Sequence, residues 1–178
     1  MLFEKPELLF NTLLHSLIMA DDRNQHRRRR DEGPQDGIQE EVLQIKRVVK
    51  KTTGGSHVTF TALVVVGDKK GKVGLGLGRG KEVPQAIQKA IKLARRQMFT
   101  VPVYNETLPH DITFKYRAAR LILKPAPQGT GLKVGSVVRT IFSLAGITNA
   151  SGKILGSRNQ ATNAYAVTLA LQKLKTRA

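Results

Sequence analysis

The segment Gly67-Asp-Lys-Lys-Gly-Lys-Val-Gly-Leu-Gly-Leu-Gly-Arg-Gly-Lys-Glu-Val-Pro-Gln-Ala-Ile-Gln-Lys-Ala90 holds a turn, a glycine-spaced strand and a helix start in succession. A strand enters over Val58–Val66, turns at Gly67–Gly71 and returns with glycine at every second position. Strand side chains alternate between faces, so Val73, Leu75 and Leu77 point one way and Gly74, Gly76 and Gly78 the other. Glycine weakens a strand, and a whole glycine face implies that another backbone approaches it. Lysines and arginines surround that face. The first expectation is a sheet shaped for a nucleic-acid backbone, with a neighbouring loop or the second domain against part of the glycine face as the alternative.

Working outward, Val42–Lys51 reads as a strand, Thr52–Gly55 as a hairpin turn and Ser56–Val66 as a second strand. Downstream, Glu82-Val83-Pro84 opens a helix, with proline in the first turn and an acid suited to the dipole. Val83, Ile87, Ala90, Ala94 and Met98 follow helical spacing. Residues 38–101 are thus expected to form three antiparallel strands backed by one helix, near the small end for independent folding. A linker at 102–111, with Pro102 and Pro109, leads to an α/β unit at 112–178. There, Ile112–Pro125 reads as strand and Gly129-Thr130-Gly131 as a loop. Val138, Ile141, Leu144 and Ala145 mark a helix closed by Gly146, and a short strand lies around Lys153–Leu155. Ala164, Val167, Leu171 and Leu174 stripe a last helix. Residues 1–37 read as an added, disordered extension, with one short amphipathic helix around Leu9, Leu13 and Leu17. Met19-Ala20-Asp21-Asp22 resembles an ordinary N-terminus and is an alternative start.

Charge narrows the function. The 178 residues carry a net +17. Residues 1–41 hold nine acids against six bases, whereas residues 42–178 hold 24 bases against four acids, Asp68, Glu82, Glu106 and Asp111. Such an excess repels itself, and polyanions are its natural partner, bound in a salt-dependent way. A membrane surface is the competing polyanion, but the basic residues are spread through folded segments rather than stacked on one helix. Leu8–Ala20 is interrupted by polar residues and too short to span a bilayer, and Glu4 and Glu7 spoil a signal-peptide start. The chain has no cysteine, which excludes disulfides and thiolate sites and fits a reducing compartment. The expected setting is soluble and cytoplasmic.

Nucleotide motifs fail. A dinucleotide fingerprint begun at Gly74 ends on Arg79, and one begun at Gly76 ends on Lys81. The Gly-Lys pairs continue to Val73, Glu82 and Ile154 instead of the Ser or Thr of a phosphate-binding loop. No cofactor and no metal are expected. Asp68 reads as a turn former and Glu82 as a helix-dipole partner. An RNA-modifying enzyme would need Glu106, His110 and Asp111 to converge in one pocket. Binding remains, through three loops that combine glycine with basic or hydroxyl groups: Lys50–Ser56, Gly67–Lys72 and Gly129–Lys133. Scarce aromatics disfavour a base-stacking platform, and a shape-reading mode on structured RNA fits better.

The run Gly67-Asp68…Gly71…Val73-Gly74…Gly76…Gly78…Glu82-Val83-Pro84…Ala86-Ile87…Lys89-Ala90 closely resembles the signature of the small-subunit ribosomal protein five family, bacterial type. Gly54-Gly55, Pro125-Ala126, Gly129-Thr130-Gly131, Ala145-Gly146 and Gly156-Ser157…Asn159 match later landmarks in order, so the resemblance covers residues 38–174. It implies an α+β protein: a double-stranded-RNA-binding-like N-terminal domain, then a C-terminal α/β domain of the ribosomal protein five domain-2-like fold. It further implies a structural, non-enzymatic role in the small ribosomal subunit. The partners it implies are small-subunit (16S-type) rRNA and ribosomal proteins four and eight, with no small-molecule substrate. Support of assembly, decoding accuracy and the mRNA entry path goes with it. The hairpin Arg47–Ser56 resembles the loop that reaches toward the decoding region, and the glycine strand falls among the expected rRNA-facing surfaces. The RNA-binding residues so expected are Arg47, Lys50, Lys51, Gly54, Gly55, Ser56, Lys69, Lys70, Lys72, Arg79, Lys81, Gly129, Thr130, Gly131, Lys133, Ser157, Arg158 and Asn159. The sequence departs from the family pattern in places. Thr53 and Ser56 stand where basic residues are frequent, Leu77 where an aromatic is frequent, and Gln160 where proline is common. Residues 1–37 have no counterpart. A free-standing RNA-binding regulator or assembly factor is the alternative reading.

Overall fold

Two four-stranded sheets share one apolar layer in the computed structural model, which describes residues 37–175. The N-terminal sheet is antiparallel, in the order β1 (Gln39–Thr52), β2 (Gly55–Gly67), β3 (Lys72–Gly80) and β4 (Phe99–Thr100), with α1 (Val83–Arg96) across one face. The second sheet runs β5 (Ile112–Tyr116), β6 (Ala119–Pro125), β8 (Ala150–Leu155), β7 (Leu132–Lys133). Helices α2 (Ser136–Ala145) and α3 (Gln160–Gln172) cover its inner face. This is the α+β architecture read from the sequence. The expected N-terminal amphipathic helix and tail lie outside the described residues.

The glycine face has a different occupant from the one expected. Ala62, Val64 and Val66 of β2 pair with Gly78, Gly76 and Gly74 of β3, and this face meets Ala86, Ala90 and Ala94 of α1. A Cβ on Gly74, Gly76 or Gly78 would collide with the backbone carbonyls of Ala94, Ala90 and Ala86 in turn. The backbone that approaches is therefore α1 of the same chain, and the glycines are shut off from RNA. This close approach also corrects the helix stripe. The alanines are the residues fully buried, Ile87 and Ile91 are only partly so, and the helix ends at Arg96, before Met98. Small residues on both surfaces let the layers touch, and larger ones stand at the margins.

The opposite face of the sheet is buried as well. Leu63, Val65, Val73 and Leu75 pack in one cluster with Ile141, Phe142 and Leu144 of α2 and with Val167 and Leu171 of α3. Gly67 lies so close to Leu144 that a Cβ there would overlap its carbonyl. The N-terminal half is thus the middle of a layered body, not a sheet closed by one helix alone. Burying four aliphatic side chains is worth roughly 1.5–3 kcal/mol each relative to exposure, and the C-terminal half supplies that cover.

Three further elements differ from the sequence reading. β4 adds a fourth strand between the helix and the linker, where the sequence reading assigned no element, pairing Phe99 with Val73 and Thr100 with Lys72. Ile112–Pro125 is two strands, not one, because the chain reverses at Tyr116–Ala119 with Arg117 at φ 52. The two-residue β7 joins β8 in parallel. The ends of α2 and α3 follow local chemistry. Gly146 closes α2 in the left-handed conformation at φ 82. Asn159 caps α3 by accepting the Ala161 N–H at 3.2 Å, so the helix starts at Gln160 without proline.

Candidate nucleic-acid interface

β3 ends opposite Phe60, so beyond that point β1 and β2 continue as a two-stranded arm, about 20 Å long at strand rise. No acid occurs between Val42 and Gly67, and Lys46, Arg47, Lys50 and Lys51 are all exposed. Their alternation splits them, with Lys46 and Lys50 on one face and Arg47 and Lys51 on the other. The arm therefore presents cations to both sides. At its tip, Gly54 and Gly55 have open space where side chains would stand, and Gly55 sits at φ 136. The Thr52 hydroxyl donates to the Gly55 carbonyl at 3.0 Å and closes the turn. Ser56 is exposed beside them.

Lys69, Lys70, Lys72, Arg79 and Lys81, grouped in sequence around the glycine strand, divide between its two ends. Lys72 and Arg79 are seven residues apart along β3, about 23 Å. Arg79 lies in β3 at the base of the arm. Its Nε and Nη2 donate to the Thr59 hydroxyl at 3.1 and 2.9 Å, across β2, which holds the guanidinium against the sheet. Exposed Lys81 follows just past the end of β3.

The turn bearing Lys69 and Lys70 does not offer a phosphate cradle of free amides. The Asp68 N–H donates to the Lys72 carbonyl, and Asp68 Oδ1 accepts from the Lys70 and Lys72 N–H groups at 2.8 and 2.9 Å. The Lys69 and Gly71 N–H groups donate to the carbonyls of Leu144 and Ala145 at 2.9 and 3.0 Å. All five amides from Asp68 to Lys72 are thus taken, and two of them cap the C-terminal end of α2, whose carbonyls need partners. The turn clasps the two halves together. Only its lysine side chains remain free to meet an anion.

That clasp brings Lys69 to a groove that also includes Thr130, Gly131, Arg139, Ser143, Thr148 and one acid, Glu106. A neighbouring groove joins Lys133, Arg139 and Lys153. The Gly131 N–H donates to Asn149 Oδ1 at 3.1 Å, which fixes the loop, and Gly129 has open space around it. Arg139 and Lys153 were missed in the sequence. Arg139 had a signal: a lone cation near the positive end of α2, where the helix dipole opposes it and no acid stands in the first turn. The group Ser157–Asn159 sits elsewhere, and its polar atoms serve α3. Ser157 Oγ accepts from the Asn159 N–H, the Ser157 carbonyl accepts from Asn163, and Asn159 is the cap. Arg158 between them is exposed.

The acids and histidine do not assemble a catalytic centre. The His110 ring meets backbone on both nitrogens, the Asp111 carbonyl at 2.7 Å and the Lys175 N–H at 3.3 Å. The Glu106 carboxylate takes the Thr148 hydroxyl at 2.7 Å. Among the described residues no group of three or more His, Cys, Asp or Glu side chains is placed to hold a metal.

Two family models match the chain: Ribosomal protein S5, N-terminal domain, over residues 38–102, and Ribosomal protein S5, C-terminal domain, over residues 114–178. The small ribosomal subunit protein uS5c of Spinacia oleracea is 50% identical over 141 residues, covering 79% of this chain and 46% of that protein. The small ribosomal subunit protein uS5 of Thermus thermophilus is 47% identical over 145 residues, covering 82% of this chain and 90% of that protein. The corresponding protein of Mycoplasmopsis agalactiae is 48% identical over 138 residues, covering 77% and 60%. The chain thus spans less than half the length of the spinach relative and nine-tenths of the Thermus one.

Proposed function

The chain belongs to the ribosomal protein S5 family, whose members are ribosomal structural proteins and not enzymes, and we propose that it holds small-subunit (16S-type) rRNA as a constituent of the small ribosomal subunit. The observation that carries this reading is the β1–β2 arm and its base, with four exposed cations, no acid and an open glycine tip. An arm charged on both sides suits insertion between RNA segments, where phosphates lie on either hand. Each neutralised phosphate releases counterions, so the binding is salt-dependent. The groove around Lys69, Thr130, Gly131 and Arg139 is a second contact region on the same body. We further assign the protein to support of subunit assembly, decoding accuracy and the mRNA entry path, beside ribosomal proteins four and eight, in ribosomes of the cytoplasm. The domain limits we propose remain 38–101 and 112–178, joined by residues 102–111.

The test is equilibrium binding of the full chain to a small-subunit rRNA transcript across a salt series. Log affinity is expected to fall steeply and linearly with log salt. A flat dependence would remove the polyanion reading.

A further inference from the structure

One face of the second sheet packs into the apolar cluster it shares with α2 and α3, and among the described residues no helix is placed on the other. Strand register places Lys115 of β5, Arg120 and Lys124 of β6, Lys153 of β8 and Lys133 of β7 together on that open face. All five are exposed. No carboxylate stands among them. Asp111, one residue before β5, flanks the face and forms no ion pair with any of them, since among the described residues the ion pair present is Arg95–Glu40 at 2.8 Å on the other sheet.

Lys115 and Arg120 are directly opposed across β5 and β6. Like charges in that position repel and destabilise a sheet. A surface shaped for stability alone would set an acid against one of them, as Glu40 is set against Arg95. The repulsion is relieved when a polyanion covers the face. Arg120 and Lys124 stand about 13 Å apart along β6, and the strands add about 5 Å per step across the sheet. Apolar surface on the same face comes from half-buried Ile122, opposite Lys153, and from Leu155, 40% exposed at the end of β8 opposite Arg120. Among the described residues no aromatic stands on the face, so it offers phosphate and sugar contacts rather than base stacking. Around the β7 edge the charge continues into the groove joining Lys133, Lys153 and Arg139.

We propose that this open sheet face is a docking surface for the sugar–phosphate backbone of a structured RNA segment, separate from the β1–β2 arm. The inference rests on the reading that the chain works bound to rRNA. It is tested with the full chain carrying Lys115→Gln, Arg120→Gln and Lys124→Gln together, against a small-subunit rRNA transcript in a salt series. The triple variant should bind at least about tenfold more weakly at 0.15 M salt, with a log–log slope shallower by about three, one for each charge removed. A Lys115→Arg, Lys124→Arg variant should keep the slope of the original protein. Lys115→Gln alone should melt no lower than the original chain, which separates lost binding from lost folding. Unchanged affinity and slope in the triple variant, while Lys50→Glu with Lys51→Glu weakens binding, would overturn the proposal and leave the functional reading standing. Unchanged RNA affinity with loss from salt-washed subunits would make the face a protein contact and also overturn it. No salt-dependent binding by the original chain would instead sink the functional reading itself.

Discussion

Gly76 has the carbonyl of Ala90 where its side chain would stand. The same contact repeats one helical turn away on either side, Gly74 with Ala94 and Gly78 with Ala86. Glycines two apart on a strand and alanines four apart on a helix both step by about 6 Å, so the two rows mesh along their length. Replacing Gly76 with alanine forces α1 off the sheet. The expected loss is about 3 kcal/mol, the upper end for a methyl added to filled space. Gly54→Ala, in open space, should stay within about 0.5 kcal/mol. Denaturant midpoints of the two variants check this, and equal midpoints would contradict the packing.

Phe142 is fully buried in α2 and shares a cluster with Leu63, Val65, Val73 and Leu75 of the first sheet. Phe142→Ala should cost about 3–5 kcal/mol and lower the stability of both halves in one transition. Urea unfolding followed by backbone and tyrosine signals should give coincident curves. Separate transitions, with the N-terminal half unaffected, would show that the halves fold independently.

Asp68 ties the clasp by accepting from Lys70 and Lys72. Asp68→Ala should destabilise by about 1–3 kcal/mol, and Asp68→Asn by less, because the amide keeps an acceptor oxygen. Thermal melts of the two variants supply the comparison. Equal losses would mean that charge, not acceptance, sets the turn.

How much of this was legible depended on whether a feature was local. The arm, its turn and its cations follow from alternation and an adjacent glycine pair, and they appear in the structure as the sequence implied. The glycine strand was half legible. Its bareness announced an approaching backbone, but the choice between RNA and a helix is tertiary. The missing clue was the spacing of Ala86, Ala90 and Ala94, small residues on the complementary surface. The groove at Lys69, Thr130 and Arg139 was not legible as one place, because it is built by amides of residues 69 and 71 meeting carbonyls of 144 and 145. Nothing in the sequence between them signals that meeting.

The arm carries the binding claim. Lys50→Glu with Lys51→Glu places two acids near the tip, on opposite faces, far from either apolar cluster. Affinity for small-subunit rRNA should fall, with the largest relative loss at low salt and a shallower log–log slope, while the melting temperature stays within a few degrees. Gel-shift titration at several salt concentrations reads it. An unchanged affinity at every salt would remove the arm from the interface.

Residence in the small subunit is tested by the distribution of the native protein after small subunits are washed at high salt and sedimented. Quantitative recovery with the subunits, near one copy each, is the predicted result. A pool found mostly free in the soluble fraction would contradict the account and point to a free-standing RNA-binding protein.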